Sequence, residues 1–376
     1  MTITYFSCFI NHHQVWVADE LSRITNGNYR FVCVEEMPET FKKNGYADYF
    51  SRDYVVRAYT KEGHREANQL AEESDVVIFG GHEDVQEYRT VRLRTGRLTF
   101  ECGERWLKRG WLNLLSPRLL KAQWRYHTKY YKAPNYYALC ISAYGAGDYR
   151  KLHSFVGKCF KWAYFTEVDD WDLSKKVYSG KKLMWCNRFI SWKHPELAVK
   201  MAKKLKDEGY QFQLNMYGGG EMKETIASLI NELEVKDVVK ICGTAPNDVI
   251  RDEMRQHDVL LTTSDRNEGW GATVNEGMSN GCVVIGSDAV GSVPRLIRDG
   301  YNGLVYSSNN LESLCSKVKE VLSQPEKCRT IAEHAYETLK KEWSPKNGAE
   351  RLVYLCEGLL SSSKVEIADG PCSLDV

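Results

Sequence analysis

Nowhere does this 376-residue chain run apolar for the roughly 20 residues that a membrane-spanning helix needs. Its first residues, MTITYFSCFINHHQ, lack a basic n-region and a small-residue cleavage site, so they do not read as a signal peptide. Charge of one sign is missing too. Fifty-one Lys and Arg face 50 Asp and Glu, a net +1, which removes the electrostatic case for nucleic acid. The twelve cysteines contain no C-x-x-C pair, and several sit singly in apolar runs, as Cys33, Cys140 and Cys282 do. Free, buried thiols in a reducing compartment are expected, with no cysteine-held metal. There is no G-x-x-x-x-G-K-[ST], no completed G-x-G-x-x-G, no short internal repeat and no low-complexity tract.

What is present is an ordinary globular mixture, 43% hydrophobic and 27% charged, at a length that suits two domains. Short β-branched or aromatic runs alternate with helical patterns, which predicts βαβ units and parallel sheets. In the first half the strand candidates are Thr2–Cys8, Tyr29–Val34, Asp75–Phe79, Tyr137–Ile141 and Lys161–Phe165. The polar, aperiodic stretch Val168–Lys182 reads as a link between domains. Beyond it, strands are expected at Leu183–Cys186, Phe212–Tyr217, Val238–Ile241, Val259–Thr262 and Cys282–Ile285. Helices are expected at Pro195–Leu205, Leu311–Ser323 and Glu326–Lys341, then from about Lys346 to Leu360 after Ser344-Pro345. The expected division is 1–170, 171–345, a closing helix over 346–360 and a tail over 361–376.

Three glycine-rich turns follow strand candidates, at Gly80–Gly81, Gly145–Gly147 and Gly218–Gly220. Taken singly each is an ordinary tight turn, although glycine after a strand lets backbone approach a ligand at the carboxyl end of a sheet. More informative is Glu268-Gly-Trp-Gly-Ala-Thr-Val-Asn-Glu276, set between the strand candidates Val259–Thr262 and Cys282–Ile285. Gly269 and Gly271 are read as opening a helix whose first N–H groups favour a diphosphate. Two glutamates eight residues apart would span roughly 12 Å at the helical rise. That is about the distance between ribose and sugar in a folded nucleotide sugar, and carboxylates accept hydrogen bonds from hydroxyls at both ends. Upstream, Arg188 and Lys193 leave a strand and are placed to neutralise a leaving diphosphate. Downstream, Asp288–Pro294 makes another small-residue turn.

At these residues the chain resembles glycosyltransferase family 4, whose retaining enzymes have the GT-B fold. Glu268 and Glu276 match the family's E-x7-E, Arg188 and Lys193 its basic pair, Gly218–Gly220 its glycine turn and Gly243 its next strand-end glycine. The likeness runs from about Lys181 to Leu360. It implies two Rossmann-like domains facing across a cleft, with the last helix crossing back to the first domain. It implies that Glu276 binds the ribose, Glu268 the donor sugar, and the Gly269-Trp270-Gly271 backbone the phosphates. One departure is Arg295, where relatives often carry a glutamate; it leaves base and sugar open.

The first half is expected to hold the acceptor. Family likeness points to His82, after a strand ending in Gly80-Gly81, as the histidine near the reacting carbon; a plain surface-loop histidine is the alternative. His12 and His13 end the first strand candidate, either lining the cleft or serving no special role. Between Arg105 and Lys132 lie eight basic residues and no acidic one, interleaved with Trp106, Trp111, Trp124, Tyr126, Tyr130 and Tyr131. That mixture suits an anionic membrane surface, or a solvated basic face over core aromatics. A looser likeness of residues 141–165 to bacterial enzymes of capsular and exopolysaccharide synthesis ranks the substrates.

The expectation is therefore a retaining hexosyltransferase that moves sugar from a nucleoside diphosphate sugar to a hydroxyl of a glycan, lipid-linked or free. Its reaction would be a front-face departure and attack, at the inner membrane face or in the cytoplasm. No cofactor, metal or nucleic acid is expected, and Asp169, Asp170 and Asp172 are read as a solvated acidic loop. A sugar-nucleotide 2-epimerase, a sugar phosphorylase and a non-catalytic nucleotide-sugar-binding subunit are the rivals. The first needs no acceptor, the second needs phosphate and the third shows no turnover.

Overall fold

The computed structural model describes residues 1–39, 48–81 and 83–376. The chain forms two compact units, one of residues 1–166 with 342–376 and one of residues 167–341. In the first, β1 (Ile3–Ser7), β2 (Tyr29–Cys33), β3 (Val55–Arg57), β4 (Val76–Gly80), β5 (Leu98–Glu104), β6 (Tyr136–Ile141) and β7 (Cys159–Trp162) form a sheet ordered β3-β2-β1-β4-β5-β6-β7. The second holds β8 (Lys182–Cys186), β9 (Gln213–Tyr217), β10 (Val239–Gly243), β11 (Val259–Thr262), β12 (Val283–Ser287) and β13 (Leu304–Tyr306), ordered β10-β9-β8-β11-β12-β13. Every strand pair is parallel, with β1 set between β2 and β4 so that Ile3 stands beside both Tyr29 and Val76. Central strands covered on both faces read as unbroken apolar runs, VVIFG in β4 and VVIGS in β12.

Three strands escaped the pattern. β3 and β13 have three residues each, too short for a period. β5 reads LTFECGE, and Glu101 breaks its run. Inside the fold that glutamate is tied to Arg89 at 3.0 Å and to the Tyr136 hydroxyl at 2.7 Å. A charge that signals a loop in sequence is here a paired, buried one. β7 also begins two residues earlier than expected and ends at Trp162.

The closing helix runs Pro345–Leu360, capped by Ser344 Oγ, which accepts from the Asn347 amide at 3.2 Å. It belongs to the first unit and packs on the helix Val15–Ile24. Gly348 makes room for Phe165, because a Cβ there would sit 2.5 Å from the ring.

Two readings need correction. The expected tail is built into the first unit: Cys372 and Lys161 exchange hydrogen bonds through Ser373, at 2.7 and 2.9 Å, and Asp375 bonds Cys159 at 2.8 Å. β7 is an edge strand, and the C-terminal residues satisfy its outer backbone groups while Cys372 is buried. The expected link is a strap on the second unit. Lys176 is buried and donates to the carbonyls of Met254, Asn280 and Gly281 at 3.1, 3.2 and 2.7 Å. It thereby neutralises the C-terminus of the short helix Thr273–Ser279. The DDWD carboxylates are bound as well: Asp169 pairs with Arg251 and Arg255, Asp170 with Lys340 at 2.7 Å, and Asp172 caps Ser174 at 3.1 Å. They form ion pairs instead of a solvated loop. Among the described residues no helix is long and apolar enough to cross a membrane.

Candidate functional site

In the second unit the strand ends of β8, β9 and β11 carry the residues singled out above. β8 ends at Cys186, and Asn187, Arg188 and Phe189 then lace to the glycine turn. The Asn187 amide donates to the Tyr217 carbonyl at 3.1 Å and that of Phe189 to Gly219 at 2.8 Å. Glycine is required in that turn. Gly218 and Gly220 have φ of +134° and +145°, and a Cβ on Gly218 would sit 1.9 Å from the Asn187 oxygen. The Gly218 amide donates to the carbonyl of Gly243 at 2.7 Å, which joins the two glycine positions across β9 and β10.

Lys193 ends a 3-10 turn, Ser191–Lys193, and is fixed from behind. Its carbonyl accepts from Thr263 Oγ1 at 2.6 Å, and that hydroxyl accepts from the buried indole of Trp185 at 2.7 Å. The Lys193 ammonium is ion-paired with Glu268, to which Ser264 Oγ also reaches at 3.3 Å. A lysine and a glutamate 75 positions apart are thus one charged group. The loop between them is braced by His194, which bonds Glu196 and Asp265 at 2.8 and 3.3 Å. Those two carboxylates raise the histidine's pKa. The exposed guanidinium of Arg188 lies 5.9 Å from the centre of the Trp192 ring and makes no ion pair with the described residues.

Glu268 does not stand on a helix. The helix starts at Thr273, because Gly271 at φ +86° breaks the turn before it, and a Cβ there would meet Val290 at 2.7 Å. The separation of Glu268 from Glu276 is therefore set by the loop and is not a helical rise. Trp270 belongs to the core: its indole is fully buried and donates to Asn275 Oδ1 at 2.9 Å. Its side chain stays away from any ligand, and it fixes the loop to the helix instead. Ser292 holds the same loop from the other side, its amide donating to the Trp270 carbonyl at 2.9 Å.

Glu276 is the most perturbed acid here. Burial pushes its carboxyl up to about 7, against a smaller lowering by the charge of Arg251, and it makes no hydrogen bond or ion pair with the described residues. The Cys186 thiol, pushed up to about 12 by burial, feels both Glu276 and Lys193, so the acid and the Lys193–Glu268 pair share one neighbourhood at the end of β8. A buried carboxylate without a partner is costly alone and suits a ligand that brings hydroxyl donors. Sequence reading missed Thr263, Ser264 and Arg251, because small hydroxyls at a strand end and a helix-face arginine carry no signal of their own.

In the first unit, His82 lies outside the described residues. His12 and His13 stack at 3.8 Å, and burial lowers their pKa to about 4 and about 3, so both stay neutral. Among the described residues no group of three or more His, Cys, Asp or Glu is disposed to hold a metal ion.

Residues 174–338 match the model of a family described as glycosyl transferases group 1. An uncharacterized glycosyltransferase of Methanocaldococcus jannaschii is 30% identical over 137 residues, 36% of this chain and 38% of that one. The poly(glycerol-phosphate) alpha-glucosyltransferase of Bacillus subtilis is 27% identical over 164 residues, 44% of this chain and 24% of that enzyme. The chain thus spans well under half the length of these relatives. The crystal structure of a glycosyltransferase from Rickettsia africae superposes with a TM-score of 0.72 at 15% identity, covering 96% of this chain and 99% of that one.

Proposed function

Because residues 174–338 belong to the glycosyl transferases group 1 family, in a chain with the fold of GT-B glycosyltransferases, we propose that it is a retaining hexosyltransferase. It moves a hexose from a nucleoside diphosphate sugar to a hydroxyl of a glycan, lipid-linked during surface polysaccharide synthesis. The bond from the anomeric carbon to the diphosphate oxygen breaks as a bond to the acceptor oxygen forms on the same face. The observation that carries this reading is the convergence of the Lys193–Glu268 pair with the unpartnered, buried Glu276 at the end of β8. Glu276 accepts from the ribose hydroxyls and Glu268 from the sugar. Lys193 and Arg188 neutralise the departing diphosphate, an electrostatic role that removes the need for a metal.

The protein acts at a membrane surface through residues 105–132. Trp111, Leu115 and Trp124 are 61%, 79% and 58% exposed, and Lys121 and Lys129 are exposed beside them. Apolar side chains of this size with basic neighbours suit an anionic headgroup region.

Thermal stabilisation of the full chain by a panel of nucleoside diphosphates and their sugars tests the donor site, since a ligand bound only by the folded state raises Tm. One base should stabilise the wild type, and Glu276→Ala should lose most of that gain. A panel that shifts neither protein sinks the reading. Product analysis with the stabilising donor then separates transfer from epimerisation.

A further inference from the structure

The first unit holds a cavity of ≈ 580 Å³ that no part of the donor chemistry uses. Its wall contains Ser7, Gly80, Glu104 and Ile141, the last residues of β1, β4, β5 and β6. β1 and β4 are the neighbours at which the strand order turns from descending to ascending. An open parallel sheet binds ligands at the carboxyl ends of its strands, beside that switch point. The volume lies within the range of small-molecule sites.

The charge of the wall is lopsided, with five lysine and arginine residues against the carboxylates Glu101 and Glu104. Arg89 is balanced by Glu101 and Lys108 by Glu104, while Arg105 leans on Asp148 at 3.3 Å. Arg118 is different: it is exposed, and its guanidinium donates to the neutral carbonyl of Gly81 at 3.1 Å. Arg125 and Arg89 donate to one neutral oxygen, Gln86 Oε1, at 3.3 and 2.8 Å. Opposite the cations the wall is phenolic and acidic, with the Tyr136 hydroxyl on Glu101 and that of Tyr164 on Glu104 at 3.1 Å. Ring faces, phenols and carboxylates suit sugar hydroxyls, and guanidinium suits phosphate.

We infer that this cavity is the acceptor site and that it takes a sugar bearing a phosphate or diphosphate, the anionic group lying against Arg118 and Arg125. The inference rests on the transferase reading of the second unit. The phosphate comes from a lipid-linked sugar diphosphate or from a free sugar phosphate, and the experiment separates the two.

Calorimetric titration of the full chain with glucose 1-phosphate, farnesyl diphosphate and glucose is the test, in wild type, Arg118→Gln, Arg118→Lys and Lys193→Ala. At least one of the two phosphates should bind and glucose should not. Arg118→Gln should weaken that phosphate about tenfold, the equivalent of one charge-assisted hydrogen bond, and Arg118→Lys should weaken it less. Lys193→Ala should leave this binding in place, which separates it from phosphate held at the donor site. Tighter binding of farnesyl diphosphate identifies a lipid-linked source, and tighter binding of glucose 1-phosphate a soluble one. Glucose binding as well as either phosphate, or Arg118→Gln binding like the wild type, overturns the inference. Nucleotide stabilisation that depends on Glu276 is read separately, so it survives such a failure.

Discussion

At the scale of single residues, Glu276 makes a pH argument with a definite sign. Its folded value of about 7 lies above the ordinary carboxylate 4.5, so the folded state holds the proton more tightly than the unfolded one. Stability from this group is present below pH 4.5 and is lost as pH rises towards 7, by at most about 3 kcal/mol. Urea unfolding of the ligand-free chain should therefore show a transition that weakens from pH 5 to 7. Glu276→Gln should flatten that slope, and a mutant that keeps it would refute the assignment. The E-x7-E spacing pointed to this acid, but its burial and lack of a partner belong to the three-dimensional surroundings. Trp270 teaches the reverse. A tryptophan between two glycines reads as part of a binding loop, yet its indole is a core anchor bonded to Asn275.

At the scale of elements, the helix Pro117–Arg125 buries only Leu119 and leaves Leu120 and Trp124 exposed. Large apolar side chains facing water on one short helix are a cost that contact with lipid would remove. Co-sedimentation with vesicles containing anionic lipid should retain the wild type and release Trp111→Ser/Trp124→Ser, with unchanged thermal stability because both rings are exposed. Binding that ignores both anionic lipid and salt would remove the membrane contact. Elements with a strong period or punctuation were legible: β4, β11, the helix Pro195–Asp207 and the glycine turn at Gly218. β5 was not, because Glu101 is only tolerable once Arg89 and Tyr136 surround it. The cavity of the first unit went unread for the same reason, since its wall is β5 and the helices that pair its charges.

At the scale of the whole molecule, the chain leaves the first unit after Thr166 and returns to it at Glu342. Residues 167–341 are continuous and carry their own sheet and core, from Leu183 and Trp185 to Val318 and Ile331. Expressed alone they should fold and retain nucleotide stabilisation. Residues 1–166 alone should aggregate, because the helix Pro345–Leu360 and the C-terminal residues that cover the Val15–Ile24 helix and β7 are missing. Adding residues 342–376 should restore a monodisperse species, and a soluble, folded 1–166 fragment would contradict this account. The sequence by itself determined the alternation of strands and helices, the glycine turns and the order of the charged pairs, because backbone propensity and spacing are local properties. Only the tertiary structure decided that Lys193 meets Glu268, that Glu276 is left without a partner and that the final residues close the edge of β7. Those outcomes depend on burial and on pairs far apart in the chain, and no local pattern records which partner a buried charge will find.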